Sequence, residues 1–137
     1  FVDSAGKDFS LDKVYQDGTT RVVLLSSGAE WCTPCIEEQD DLKDWVQRYG
    51  DKGLEVIMTI FEDSENNPAT VSNAKNWKDN HTDGSYHVLA DSGQKLGVYG
   101  DTFPLNLIID ACTMKITEIV KGAAPFRIED ESVRLLD

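Results

Sequence analysis

Apolar and polar positions along the chain fall into alternating blocks. Arg21 to Ser26 carries the bare run Val22-Val23-Leu24-Leu25, the pattern of a strand buried on both faces. Leu54 to Phe61, rich in Val, Ile and Thr, reads as a second buried strand. Between them Thr33 to Gly50 has helical spacing and ends at a glycine. Glu62 to Pro68 is a polar, acidic loop, and Pro68 to Asn80 is a modest helix in which Val71, Ala74 and Trp77 recur three apart and Pro68 occupies the first turn. Tyr86 to Ala90 is a short strand and Gln94 to Tyr99 one or two helical turns. Leu105 to Ile109 and Lys115 to Val120 form an antiparallel hairpin about Asp110–Met114, and Pro125 to Leu136 a last helix. Residues 1–20, with turn signals at Ala5-Gly6 and Asp17-Gly18, read as a short hairpin or extended lead-in. This order implies an α/β fold with a mixed sheet covered on both faces by helices.

Composition narrows the function. A chain of 137 residues suits one domain, and 28% charged with 40% hydrophobic residues is an ordinary globular mixture. The net charge of −12 argues against binding nucleic acid or anionic lipid surfaces, because both interactions rest on neutralising phosphate charge. The excess is uneven: residues 1–70 hold 15 acids and 6 bases, residues 71–137 hold 10 and 7. Chemistry near Cys32 therefore operates in the acidic half. The longest clean apolar run is Val22 to Leu25, far short of the roughly 20 residues that span a bilayer. The sequence begins at Phe1 without an initiator Met, so a leader or anchor is expected to have been removed. Three cysteines make no disulfide scaffold and leave at least one thiol without an internal partner.

Trp31-Cys32-Thr33-Pro34-Cys35 follows a predicted strand and opens a predicted helix. A thiol at a helix N-terminus faces unpaired amide N–H groups and the positive end of the helix dipole, which favour its thiolate. Cys32 stands at the mouth of the helix and Cys35 one turn in, on the same face. The expected division of labour is Cys32 as attacking thiolate and Cys35 as the shielded thiol that resolves a mixed disulfide. Pro34 has the fixed φ of a first helical turn and no N–H to leave unpaired. A structural disulfide fits the same pair. So does half a zinc site, but zinc needs a second pair of ligands, and His81 and His87 are six apart with no second CxxC.

On a helical wheel Gln39, Leu42, Trp45, Val46 and Tyr49 form one arc, with Glu37, Asp40, Asp44, Gln47 and Arg48 opposite. Glu38 falls inside the apolar arc, three residues after Cys35. A carboxyl on a core-facing side is costly unless protonated, paired or wet, and beside a dithiol it is placed to accept the proton of Cys35. The competing reading has Glu38 reaching along the helix edge to solvent.

These residues resemble the thioredoxin superfamily, and within it the extracytoplasmic TlpA/ResA-like (redoxin) branch of bacterial thiol-disulfide oxidoreductases. The resemblance runs from Gly6-Lys7 and Leu11 through Ala29-Glu30-Trp31-Cys32-Thr33-Pro34-Cys35 and Tyr99-Gly100-Asp101-Thr102-Phe103-Pro104 to Leu107-Ile108-Ile109-Asp110. It implies a single thioredoxin-like domain over residues 1–137, with an N-terminal β-hairpin extension. It implies Cys32, Cys35 and Glu38 as catalytic residues, Glu38 standing where this branch places a buried glutamate. It implies Pro104 as the superfamily's cis-proline, a state that X–Pro bonds alone reach cheaply. Trp31, Thr33, Pro34, Thr102, Phe103 and Pro104 become the substrate-contacting set. It further implies a monomer that exchanges disulfides with protein thiols, apocytochrome c or other extracytoplasmic proteins among them. Its setting would be the bacterial periplasm or another extracytoplasmic compartment, with room for anchoring through a removed N-terminal segment, a membrane-bound electron donor and no cofactor beyond the cysteine pair.

The sequence departs from the pattern at three points. Ser26 stands where many thioredoxins carry a buried acid, Ser26-Ser27-Gly28 replaces aromatics common in this branch, and Asn106 stands where a hydroxyl residue is usual. Cys112 belongs to no motif and reads as a turn residue. A thiol peroxidase is the alternative enzyme, although the Pro-xxx-Thr-xx-Cys pattern of peroxiredoxins is missing; a binding domain with a structural disulfide is the alternative without catalysis. Copper delivery would call for CxxxC with a distal His, and the sequence has neither that spacing nor an obvious match.

Overall fold

The computed structural model describes residues 1–137. The buried run at Val22 becomes the central strand. In chain order the elements are β1 (Val2–Asp3), α1 (Leu11–Gln16), β2 (Val22–Ala29), α2 (Thr33–Tyr49), β3 (Leu54–Glu62), α3 (Val71–His81), β4 (His87–Ala90), β5 (Leu105–Asp110), β6 (Lys115–Lys121) and α4 (Pro125–Leu136). Short 3₁₀ turns lie at Gly50–Lys52 and Lys95–Tyr99. All six strands join one mixed sheet in the order β1-β4-β3-β2-β5-β6, with β2, β3 and β4 parallel and the outer pairings antiparallel.

The chain steps from β2 to β3 to β4 in one direction across the sheet, so right-handed crossovers put α2 and α3 on the same face. α4 joins them, and one core cluster takes Leu42 and Trp45 from α2, Ala74 and Trp77 from α3, and Ile128 and Leu136 from α4. Tyr49 and Arg48 at the C-terminal end of α2 both donate to Glu129 of α4, fastening the two helices together. The opposite face is covered by α1, the N-terminal segment and the Lys95–Tyr99 turn, which contribute Val14 and Leu96 to a second apolar cluster with Val23, Leu25, Leu107 and Ile109. A cavity of about 190 Å³ remains there, lined wholly by apolar residues including Leu11, Tyr15, Leu25 and Leu107.

Four boundaries differ from the sequence reading, each for a local reason. The lead-in holds a tight turn closed by the single bridge Val2–Asp8, then a helix, α1, capped by the Ser10 hydroxyl on the Asp12 amide. β2 runs past Ser26 to Ala29, because the Ser26 hydroxyl and carbonyl both find buried partners. Pro68 does not open α3. It bridges back to Glu62, and the helix starts after Thr70, whose hydroxyl and backbone form a reciprocal cap with Asn73. The Gln94–Tyr99 stretch is a 3₁₀ turn with Gln94 in the left-handed region, held by the buried Asp91 carboxylate on the amides of Lys95 and Leu96.

A candidate dithiol site at the head of α2

β2 ends at Ala29, the chain turns through Glu30 and Trp31, and Cys32 caps α2. Its sulfur accepts from the Cys35 amide at 3.2 Å, which places it among the unpaired N–H groups of the first turn. Glu30 fastens this turn from outside: its carboxylate accepts from the Asn73 amide group of α3 at 2.8 Å. Cys32 and Cys35 form a disulfide with Cα atoms 5.2 Å apart. In this oxidised form both cysteines are buried, Cys32 3% and Cys35 0% exposed, while Thr33, Pro34 and Trp31 stand exposed around them.

Cys35 backs onto the sheet at Gly28. A Cβ there would lie 3.2 Å from the Cys35 sulfur, 3.0 Å from its Cβ and 2.8 Å from the Met58 methyl, so only glycine lets the helix approach this closely. One turn further along the same side of α2 Gln39 is buried; it donates to the Cys35 carbonyl at 2.9 Å and accepts from the Tyr86 hydroxyl at 2.8 Å. The first turn of α2 is thus held at two points.

Phe103-Pro104 is a cis peptide bond immediately before β5. The register pairs Ser27 with Leu105, which brings this bond beside Gly28 and the dithiol. Phe103 lies between Trp31, 5.9 Å away edge-on, and Phe61, 5.0 Å away. The result is an aromatic ledge along one side of the cysteines, with Trp31 46% exposed. Thr102 lies exposed just before it.

Glu38 is buried, 6% exposed, on the same face of α2 as Cys35. The Ser26 hydroxyl donates to one carboxylate oxygen at 3.0 Å, and the Asn106 amide group donates to both oxygens at 3.2 and 3.1 Å. Ser26 and Asn106 are cross-strand partners on β2 and β5, so one register position supplies both clamps. Burial pushes the Glu38 carboxyl up to about 7; the Asn106 and Ser26 hydrogen bonds pull the other way, and Asp41 nearby adds to the rise. Glu38 also lines a cleft of about 180 Å³ together with Pro34, Glu37, Asp41, Ala123 and Pro125. Glu38 packs at Ser26 and Cys35 at Gly28, two residues along one strand face or about 7 Å.

The structure therefore brings Trp31, Cys32, Thr33, Pro34, Cys35, Glu38, Thr102, Phe103 and Pro104 to one end of the sheet. It adds Ser26, Gly28, Gln39, Phe61 and Asn106, which no sequence motif marks as site residues. Ser26 and Asn106 did stand out in the sequence as departures from the family pattern, and that was the signal for them. Cys112 lies exposed in the β5–β6 turn at the opposite end. No group of three or more His, Cys, Asp or Glu side chains is arranged to hold a metal ion.

A strand, a helix opened by a paired CxxC, and a cis-proline beside it define a thioredoxin-like dithiol oxidoreductase. The family model described as AhpC/TSA matches residues 2–117, and the chain belongs to that family. No curated protein matches the sequence. Among solved structures, a candidate thiol:disulfide interchange protein DsbE from Chlorobium tepidum shares 21% identity at a TM-score of 0.78, covering 99% of this chain and 91% of its own. The exposed lipoprotein thioredoxin Etrx1 of Streptococcus pneumoniae shares 21% at 0.75, covering 98% and 96%. A thioredoxin-like protein of Aeropyrum pernix shares 19% at 0.74, covering 97% and 86%. At these identities the likeness is one of fold.

Proposed function

We propose that this single thioredoxin-like domain reduces disulfides in protein substrates, with Cys32 as attacking thiolate, Cys35 as resolving thiol and Glu38 as the proton acceptor. The observation that carries the reading is the Cys32–Cys35 pair at the head of α2 with the buried carboxyl of Glu38, a residue that also lines a surface cleft, one turn below it. In the reduced protein the Cys32 thiolate attacks a substrate disulfide, forming a mixed disulfide and releasing one substrate thiolate. Cys35 passes its proton to Glu38 through water and attacks the Cys32 sulfur. The second substrate thiolate leaves, the Cys32–Cys35 disulfide forms, and two electrons have passed to the substrate. A dithiol donor returns the protein to its reduced form by the same steps in reverse.

Trp31, Thr33, Pro34, Thr102, Phe103 and Pro104 form the surface a substrate segment lies against. The aromatic ledge supports this, because it offers apolar contact area directly beside the sulfurs. An extracytoplasmic, bacterial setting is supported by the resemblance and by the likeness to an exposed lipoprotein thioredoxin. Partners in that setting are proteins with oxidisable thiols, apocytochrome c among them, and a membrane-bound dithiol donor; the protein acts as a monomer without a further cofactor.

The test is reduction of insulin under dithiothreitol by the wild-type protein and Cys32→Ser. A rate lost roughly a thousandfold or more in the variant supports catalysis by the dithiol, as expected when a nucleophile is removed; equal rates overturn it. Cys35→Ser exposed to periplasmic extract then captures substrates as mixed disulfides on Cys32, and a variant that captures nothing rejects the division of labour.

A further inference from the structure

We infer that Asn106, aided by Ser26, is the positioning residue that holds the Glu38 carboxyl at the dithiol and serves both of its protonation states by turning its own side-chain amide. This deepens the proposed role of Glu38 and rests on it only for the catalytic consequence. The geometry is that of an ionised carboxylate: three contacts reach Glu38, all from donors, one from Ser26 and two from the Asn106 NH₂. The carbonyl oxygen of the same Asn106 side chain is fully buried and has no partner. A buried acceptor left idle beside the group it serves is costly, and it becomes useful when that group gains a proton.

Once Glu38 is protonated its O–H faces an NH₂, two donors with no acceptor between them. Half a turn of the Asn106 amide presents Oδ1 instead, and the same residue now accepts where it had donated. The Ser26 hydroxyl, donor and acceptor alike, follows by rotation. An aliphatic side chain in place of Asn106 would serve neither state. The surrounding groups leave the task to this pair. Asp41 of the same helix opposes ionisation of Glu38, and Glu37 lines the shared cleft. Ala123, from the segment before α4, and Pro125, the first residue of α4, also line the cleft and carry no charge. From beyond Gln39, the hydroxyl of Tyr86, just before β4, is pushed up first by burial, with Asp83, Asp40 and Glu38 adding smaller contributions.

The experiment follows Glu38 directly. With ¹³C-labelled glutamate, NMR titration of the oxidised protein gives the Glu38 midpoint, assigned by its loss in Glu38→Gln. Asn106→Leu, close in size but without donors, is expected to raise that midpoint by about one to two pH units. Asn106→Ser, which keeps one hydroxyl and guards against a failure to fold, is expected to give a smaller rise. In the wild type the Asn106 NH₂ resonances are expected to move at the Glu38 midpoint and to stay fixed in Glu38→Gln. A midpoint unchanged in both Asn106 variants overturns the inference. The pH profile of mixed-disulfide resolution is read in parallel. A profile that shifts with the midpoint, and no longer responds to Asn106→Leu in a Glu38→Gln background, supports both the positioning and the proton-acceptor roles. A midpoint that moves while the profile stays put keeps Asn106 as positioning residue and overturns the catalytic reading of Glu38.

Discussion

On one face of the sheet Ser26, Glu38, Gln39 and Asn106 lie buried together, each bonded to another polar group, and Gly28 leaves a gap for a cysteine. On the other face the strands present Val23, Leu25, Ile57, Leu107 and Ile109, and of the buried strand residues there only Ser27 and Thr59 are polar. The first face carries three long helices and close, directional contacts. The second carries one short helix and a 3₁₀ turn, and keeps an apolar cavity. The difference separates two tasks within one sheet. The second face holds the strands together by bulk burial, which tolerates looseness; the first spends its buried positions on polar groups that cost stability and fix the place and charge of a carboxyl.

Leu107→Ala, on the apolar face, is the harshest test of that division. It is expected to lower unfolding free energy by about 2–5 kcal/mol, measured by denaturant titration, while the folded fraction keeps the wild-type rate of disulfide exchange. A matching loss of exchange rate per folded molecule would erase the distinction between the faces.

Glu38→Gln tests the polar face through pH. The carboxyl titrates near 7 when folded and at 4.5 by its ordinary value, so the folded protein binds the extra proton between these two. Its contribution to stability is therefore complete below pH 4.5 and is lost as pH rises through 7. Wild type is expected to fall relative to Glu38→Gln by on the order of 3 kcal/mol between pH 4 and pH 8.5, a gap read from paired denaturation curves. Over the same window resolution of a mixed disulfide is expected to speed up in the wild type as Glu38 ionises. In the variant it should be roughly a hundredfold slower at pH 8 and nearly flat.

Gly28→Ala should follow, at about 1–3 kcal/mol of stability, because the new methyl meets Met58 and Cys35 at less than ordinary contact distance. The expected signature is a shifted reduction potential of the dithiol in a protein that still folds, measured by equilibration with glutathione. The smallest effect concerns charge. With Glu37 and Asp41 beside the cleft, a lysine-rich disulfide peptide is expected to be reduced a few-fold faster than a glutamate-rich one at low salt, and the two to converge at high salt. Equal rates at low salt would remove steering from the account.

Much of this is legible in the sequence. The bare run at Val22 marked the central strand, Pro125 marked the start of α4, and the CxxC after a strand marked the redox pair, because each is signalled by neighbours in sequence. α1 was not, since a six-residue helix with one buried side chain, Val14, leaves no periodicity to read. Pro68 misled, because a proline suits a first helical turn and a bridge equally, and the Thr70–Asn73 cap decided between them. The clamp on Glu38 was least visible of all. Asn106 meets it across 68 positions of sequence, and only the β2–β5 register shows that Ser26 and Asn106 point at one carboxyl.

Cys112 sits one strand length, roughly 20 Å, from the dithiol end of β5. Its exposure makes the molecule its own calibrant for thiol labelling. A maleimide reagent under native conditions should mark one sulfur per oxidised chain, and three once the Cys32–Cys35 bond is opened and the chain unfolded. Every redox titration of this protein thus carries an internal count against which occupancy of the working pair can be normalised.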